Sequence, residues 1–176
     1  MIIDNLDGPD KLWLIQAPPC SGLNTAAPAL IVVLDTNVVL DLWAFNDPRT
    51  QWLRQALAQQ RLRWIATPAM FDELADVLHR ATSAPWCPDP AEVLARARAA
   101  CHVLPGPAPA TSKVPVCADP DDQIFIDLAW SWPARWLFTR DRALLDLARP
   151  ALAHGLVVTT PAAWPGLAMV AAEVGP

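Results

Sequence analysis

The stretch "LIVVLDTNVVLDLW", Leu30 to Trp43, decides the fold. Its first five residues are apolar at consecutive positions, the pattern of a short strand covered on both faces, as in a parallel sheet. The run stops at Asp35, and "NVVLDLWAF" then reads as a helix. A carboxylate at the end of a buried strand, with no basic neighbour in sequence, needs a compensating partner from elsewhere in the chain.

The same alternation continues outward. "LRWIAT", "RWLFT" and "LVVTT" read as strands, with the short apolar "CHVL" between them. "PRTQWLRQALAQQ", "PAMFDELADVLHR", "AEVLARARAA", the segment opened by "ADPDDQIFIDLAW", and "RALLDLARP" read as helices. Strands alternating with helices predict an α/β fold with a twisted, mainly parallel sheet of four to five strands and helices on both faces. Residues 1–28, with Gly8, Pro9, Pro18, Pro19, Gly22 and Pro28, are expected to form an N-terminal extension that docks through Trp13 or stays mobile. Residues 29–176 then form one domain. "SAPWCPDP" and the segment from Pro105 to Pro115 are loops by composition.

Composition narrows the function. Of 176 residues, 53% are hydrophobic and 18% charged, which excludes a disordered chain and predicts a single extensive core. Nine Trp and no Tyr make indole the main aromatic filler, and each buried indole N–H calls for an acceptor. The net charge of −5 excludes a grip on nucleic acid through a broad basic surface, although a local patch or a metal-assisted contact remains open. The start "MIIDNLDGPDK" lacks a secretory pattern, and no apolar run is long enough to span a bilayer, so a cytoplasmic location is expected. Cys20, Cys87, Cys101 and Cys117 are too widely spaced for a zinc site and read as free buried thiols. His79, His102 and His154 have no carboxylate pattern of a catalytic triad around them.

The acids fall where chemistry collects. Beyond the carboxyl ends of a parallel sheet, Asp35 ends the first strand and Asp141 lies two residues past Thr139, at the end of "RWLFT". At 100° per residue, Glu73 lies on the border of the apolar stripe of "PAMFDELADVLHR", while Asp72 and Asp76 point away. In the helix after Pro120, Asp122 sits in the middle of the stripe made by Phe125, Ile126, Ala129 and Trp130; Asp127 turns outward, and Asp121 is at the edge. Taken singly, Asp35, Asp122 and Asp141 can be helix caps, and Glu73 a solvated border residue. Four inward-leaning carboxylates in one cleft raise one another's pKa values, and a cation resolves the conflict. An all-oxygen ligand set predicts Mg²⁺ or Mn²⁺, suited to phosphodiester chemistry.

From "VVLDTNVVLDLW" through "TPAMFDELADVLHR" and "CADPDDQIFIDLAWSWPARWLFTRDRALL" to "LVVTTPAAW", the chain resembles PIN-domain proteins, a family of metal-dependent ribonucleases that includes many bacterial toxin components. The "DPDD" before the third acid is similar to the putative-toxin branch. The resemblance implies a three-layer α/β/α fold, with Asp35, Glu73, Asp122 and Asp141 as the catalytic and metal-binding acids. It gives Asn37 and Thr139 supporting roles. Asp121 competes with Asp122 for the third position, and Asp119 and Asp121 are possible outer-shell carboxylates. The implied partners are an RNA substrate, a small antitoxin covering the acidic cleft and a second copy of the chain. Arg140 and Arg49 are candidate RNA contacts. Trp132, beside Pro133, is the Trp expected to be exposed and to stack on bases, whereas Trp130 and Trp136 are expected in the core.

Two rivals remain at this stage. A haloacid-dehalogenase-like phosphatase also places an aspartate after its first strand, but needs a second aspartate where this chain has Asn37. A non-catalytic scaffold could keep the fold and its acids for binding alone.

Overall fold

A computed structural model describes residues 29–81, 88–106 and 113–164. The expected extension over residues 1–28 lies outside the described residues, as do Cys20 and Cys87. The elements run β1 (Leu30–Leu34), α1 (Thr36–Trp43), α2 (Gln51–Ala58), β2 (Leu62–Ala66), α3 (Pro68–Arg80), α4 (Pro90–Ala100), β3 (Cys101–Val103), α5 (Gln123–Ser131), β4 (Trp136–Phe138), α6 (Arg142–Leu145), α7 (Ala148–Leu152) and β5 (Val157–Thr159). The sheet order is β3-β2-β1-β4-β5, parallel throughout, and the helices complete an α/β/α arrangement. The short "CHVL" supplies the fifth strand, pairing Trp64 with Cys101.

Burial follows the apolar runs. Val32, Val33 and Leu34 of the central strand are essentially inaccessible, as are Ile65, Leu137 and Phe138 beside them. Indole fills much of the rest: Trp43 stacks on Trp64 at 5.4 Å between centroids, and Trp52 on Trp164 at 4.3 Å. The expectation that every buried indole finds an acceptor fails at Trp52 and Trp64, whose ring N–H groups have no hydrogen-bond partner among the described residues. Ring stacking is what each of them gains instead.

Three other expectations are corrected. "RALLDLARP" is not one helix but two, α6 and α7. In a continuous helix the ring of Pro150 would meet the carbonyl of Asp146; restarting the helix puts that proline in a first turn, where its missing N–H costs nothing. Trp132 is buried rather than exposed, because the chain closes a tight turn there (Ala134 N–H to the Trp132 carbonyl, 2.6 Å) and folds the ring inward. Trp130 and Trp136 are only half-buried, and Trp130 lies 4.2 Å from the His154 ring. Cys101 and Cys117 are free thiols, as expected. Among the described residues no helix is long and apolar enough to cross a membrane.

Candidate functional site

Parallel pairing sets two strand ends side by side. Leu34 is in register with Phe138, so Asp35 and Thr139, the next residues, emerge together at the sheet rim. The Asp35 N–H completes the ladder to the Phe138 carbonyl at 3.0 Å. Thr139, fully buried, donates its hydroxyl to Asp35 Oδ2, and Asn37 Nδ2 donates to the same oxygen. The Thr139 hydroxyl also accepts the Asp141 N–H at 2.8 Å, and Asn37 Oδ1 accepts the Arg140 N–H at 3.1 Å. Thr139 and Asn37 thus tie the β1–α1 junction to the β4–α6 junction.

Capping explains one acid and leaves two others unexplained. Asp141 is the N-cap of α6 and accepts the Ala143 N–H at 2.7 Å. Asp35 and Asp122 occupy the N-cap positions of α1 and α5 without a side-chain capping bond of good geometry. The Asn37 N–H is near enough to Asp35 to favour its ionised form, but burial outweighs this and the Thr139 bond, and raises the carboxyl above its ordinary 3.8. Glu73, in the second turn of α3, is half-buried; burial raises it too, against a hydrogen bond from Thr36, with Asp35 and Asp121 adding to the rise. Its Oε2 is buried with no hydrogen-bond partner among the described residues. Asp122 is pushed up to about 7, first by burial and then by the negative charges of Asp35, Asp141, Asp119 and Glu73.

The four expected acids therefore share one electrostatic neighbourhood. Asp119 belongs to it as well. Asp121 is exposed, its N–H donates to Asp119 Oδ1 at 3.0 Å and its charge reaches Glu73, whereas Asp122 is half-buried and feels Asp35, Asp141, Asp119 and Glu73. Among the described residues no three His, Cys, Asp or Glu side chains stand close enough to hold a metal ion as they are. The donor chemistry still fits a hard cation: all ligands are oxygen, one buried carboxylate oxygen is orphaned, and mutual repulsion is uncompensated.

The family model for the PIN domain matches residues 31–143, well over half of the chain, and that span contains all four acids. The chain belongs to the PIN-domain family. No curated protein matches it. PIN domains are generally nucleases, and a fold that presents acids at one sheet rim suits RNA binding with a divalent ion.

Some residues of this PIN domain escaped the sequence reading. Thr36 supports Glu73 from the first turn of α1. Gln123 accepts the Cys117 N–H at 2.7 Å and donates to the Pro115 carbonyl at 3.1 Å, anchoring the loop that delivers Asp119 and Asp122. Asp41, 4% exposed on α1, pairs with Arg140 Nε at 2.9 Å. A lone acid in a helix buried almost all round was the available signal for Asp41. Arg140 and Arg49, the expected RNA contacts, are both ion-paired, Arg49 with Asp47 at 2.7 Å. Trp132 is withdrawn from the site by its burial.

Proposed function

We propose that this PIN-domain protein is a Mg²⁺- or Mn²⁺-dependent endoribonuclease. The reading is carried by Asp122, whose carboxyl is pushed up to about 7 first by burial and then by the charges of four other acids, with no basic group among the causes. Asp35, Asp122 and Asp141, with Glu73 at their border, are the residues that would hold the ion. When bound, such an ion orients the phosphate and makes a water more acidic.

The chain's own groups supply the rest. Glu73 takes the proton of the attacking water at Oε2, the buried oxygen with no other partner; its raised pKa suits a general base. A new bond forms between water oxygen and phosphorus, the bond to the 3′ oxygen breaks, and that oxygen takes a proton from solvent. Thr139 and Asn37 keep Asp35 in place throughout.

Cleavage of single-stranded RNA with and without Mn²⁺ tests the proposal. Wild type cuts only with the ion, and Asp35→Asn and Asp122→Asn do not cut; metal-dependent cutting retained by both variants refutes it. A non-catalytic scaffold, by contrast, shows no rise of melting temperature with Mn²⁺.

The likeness to the putative-toxin branch extends the proposal to a cytoplasmic toxin restrained by a small antitoxin. Induced wild-type protein then arrests bacterial growth and Asp35→Asn does not; equal growth of the two strains contradicts a toxin role. Self-association is proposed from the high apolar content, and light scattering showing a monomer at micromolar concentration contradicts it.

A further inference from the structure

Beside the acids lies a second built feature. A cleft of about 160 Å³ opens at the ends of β4 and β5, against α1, and is lined by Asp41, Asp47, Arg49, Thr50, Arg140 and Thr160 among others. That volume is about five waters' worth, enough for a phosphate group and part of its sugar. Asp41 follows Asn37 by four residues on α1, a rise of about 6 Å, so the cleft stands next to the acid cluster and not over it. The link between the two is direct. Arg140 contributes its guanidinium to the cleft while its backbone N–H holds Asn37, whose amide holds Asp35.

Both arginines are held by aspartates that line the same cleft. Asp41, almost wholly buried, takes Arg140 Nε; Asp47 takes the Nε of Arg49 at 3.0 Å and its Nη2 at 2.7 Å. Each guanidinium has five N–H donors, so donors remain on both for a ligand. A guanidinium fixed at its Nε presents the rest of its planar fork with little further loss of side-chain freedom, and that fork matches the oxygens of a phosphate. In a chain with net charge −5, the two arginines of this cleft are matched by its two aspartates, so a phosphate meets a formally neutral lining there beside acids that lack such partners.

We propose that this cleft binds a phosphodiester group of single-stranded RNA adjacent to the scissile one, with Arg49 and Arg140 donating to its non-bridging oxygens. The identity of the ligand rests on the ribonuclease reading. The cleft sets where the strand lies as it crosses the rim, so Arg49 and Arg140 are positioning residues that act on KM and not on kcat.

The test uses the full chain in EDTA with a short 2′-O-methylated single-stranded RNA, a probe cut neither with a metal nor through its own 2′ oxygen. Its Kd is measured by fluorescence anisotropy over a range of salt. Arg49→Ala raises Kd about tenfold, and the slope of log K against log salt becomes shallower by about 0.7 for the lost phosphate contact. The double variant Asp41→Asn/Arg140→Gln removes the second pair without leaving a lone buried charge, and does the same. Arg149→Ala, an exposed arginine on α7, makes the same change in net charge as Arg49→Ala and leaves Kd unaltered. Wild-type Kd and slope in both cleft variants overturn the proposal, as does a wild-type protein that does not bind the probe. Mn²⁺-dependent cleavage by wild type is scored separately: its absence defeats the ribonuclease reading whatever the Kd values, and its presence with unchanged Kd values defeats the cleft alone.

Discussion

Two groups of acids share the sheet rim, Asp41 standing six residues after Asp35, and they differ in their partners. Asp41 and Asp47 each have an arginine: burial pushes the Asp41 carboxyl up and Arg140 opposes that rise without cancelling it, while Arg49 holds the carboxyl of Asp47 below the usual carboxylate range. Asp35 and Asp122 are acted on only by hydroxyls, amides and other acids, Glu73 feels besides these the charge of Arg80 without an ion pair to it, and all three are pushed upward. Burial alone does not distinguish the groups, since Asp41 is as inaccessible as Asp35. The presence of a counter-ion within the chain does. Where the fold supplies the positive charge, the acid serves structure and orientation; where it does not, the acids are left for a cation from outside.

The largest expected effect lies on the unbalanced side. Asp122→Asn and Asp35→Asn each lower the rate of Mn²⁺-dependent RNA cleavage on the order of a thousandfold, about 4 kcal/mol of transition-state stabilisation, while the fold persists by circular dichroism. Asp41→Asn, equally an Asp→Asn change at the same rim, leaves the cleavage rate at saturating RNA within a few-fold. Equal losses in all three variants would erase the distinction between the groups.

Next in size is the balanced side. Arg140→Ala strands a buried carboxylate and costs about 1–3 kcal/mol in urea unfolding; the figure stays below that of a fully buried pair because Arg140 is itself 45% exposed. Asp41→Asn/Arg140→Gln costs less than Arg140→Ala alone. Additive losses would show that the two residues do not interact.

The pH dependence bears on Asp122 itself. An acid whose folded pKa exceeds its unfolded value binds more protons when folded, so the stability it confers is complete at low pH and declines as pH rises through the interval between the two values. For Asp122 that interval runs from 3.8 to about 7. Thermal melts in EDTA therefore show wild type losing stability across it, and Asp122→Asn losing less. A wild-type stability that climbs steadily from pH 4 to 7 contradicts the assignment. The smallest effect is that of Arg49→Ala, whose exposed pair leaves the urea midpoint essentially unchanged, against a clear change in RNA affinity.

The sheet was legible because four of its strands are apolar or nearly so and three of those, β1, β2 and β4, are followed by helix signals. The positions of the acids were legible in part, from strand ends and helical angles: Asp35 and Asp141 stand at the rim, Glu73 is half-buried and Asp72 and Asp76 are exposed, while Asp122, half-buried, occupies the N-cap position of α5 and does not lie within its stripe. What was not legible depends on contacts between distant residues. Nothing near Asp41 in sequence announces that Arg140, nearly a hundred residues later, will neutralise it. Trp132 was misjudged because a following proline marks a turn but does not say which way the ring before it swings. The break in "RALLDLARP" was readable from Pro150, had its clash with the fourth residue before it been weighed against the apolar spacing.

Calorimetric titration of Mn²⁺ into metal-free protein bears most directly on the division between balanced and unbalanced acids. Wild type, Asp41→Asn and Asp47→Asn should show saturable binding with the same stoichiometry, and Asp35→Asn and Asp122→Asn should lose it. No saturable binding in wild type, or the same isotherm in all five proteins, would contradict the account.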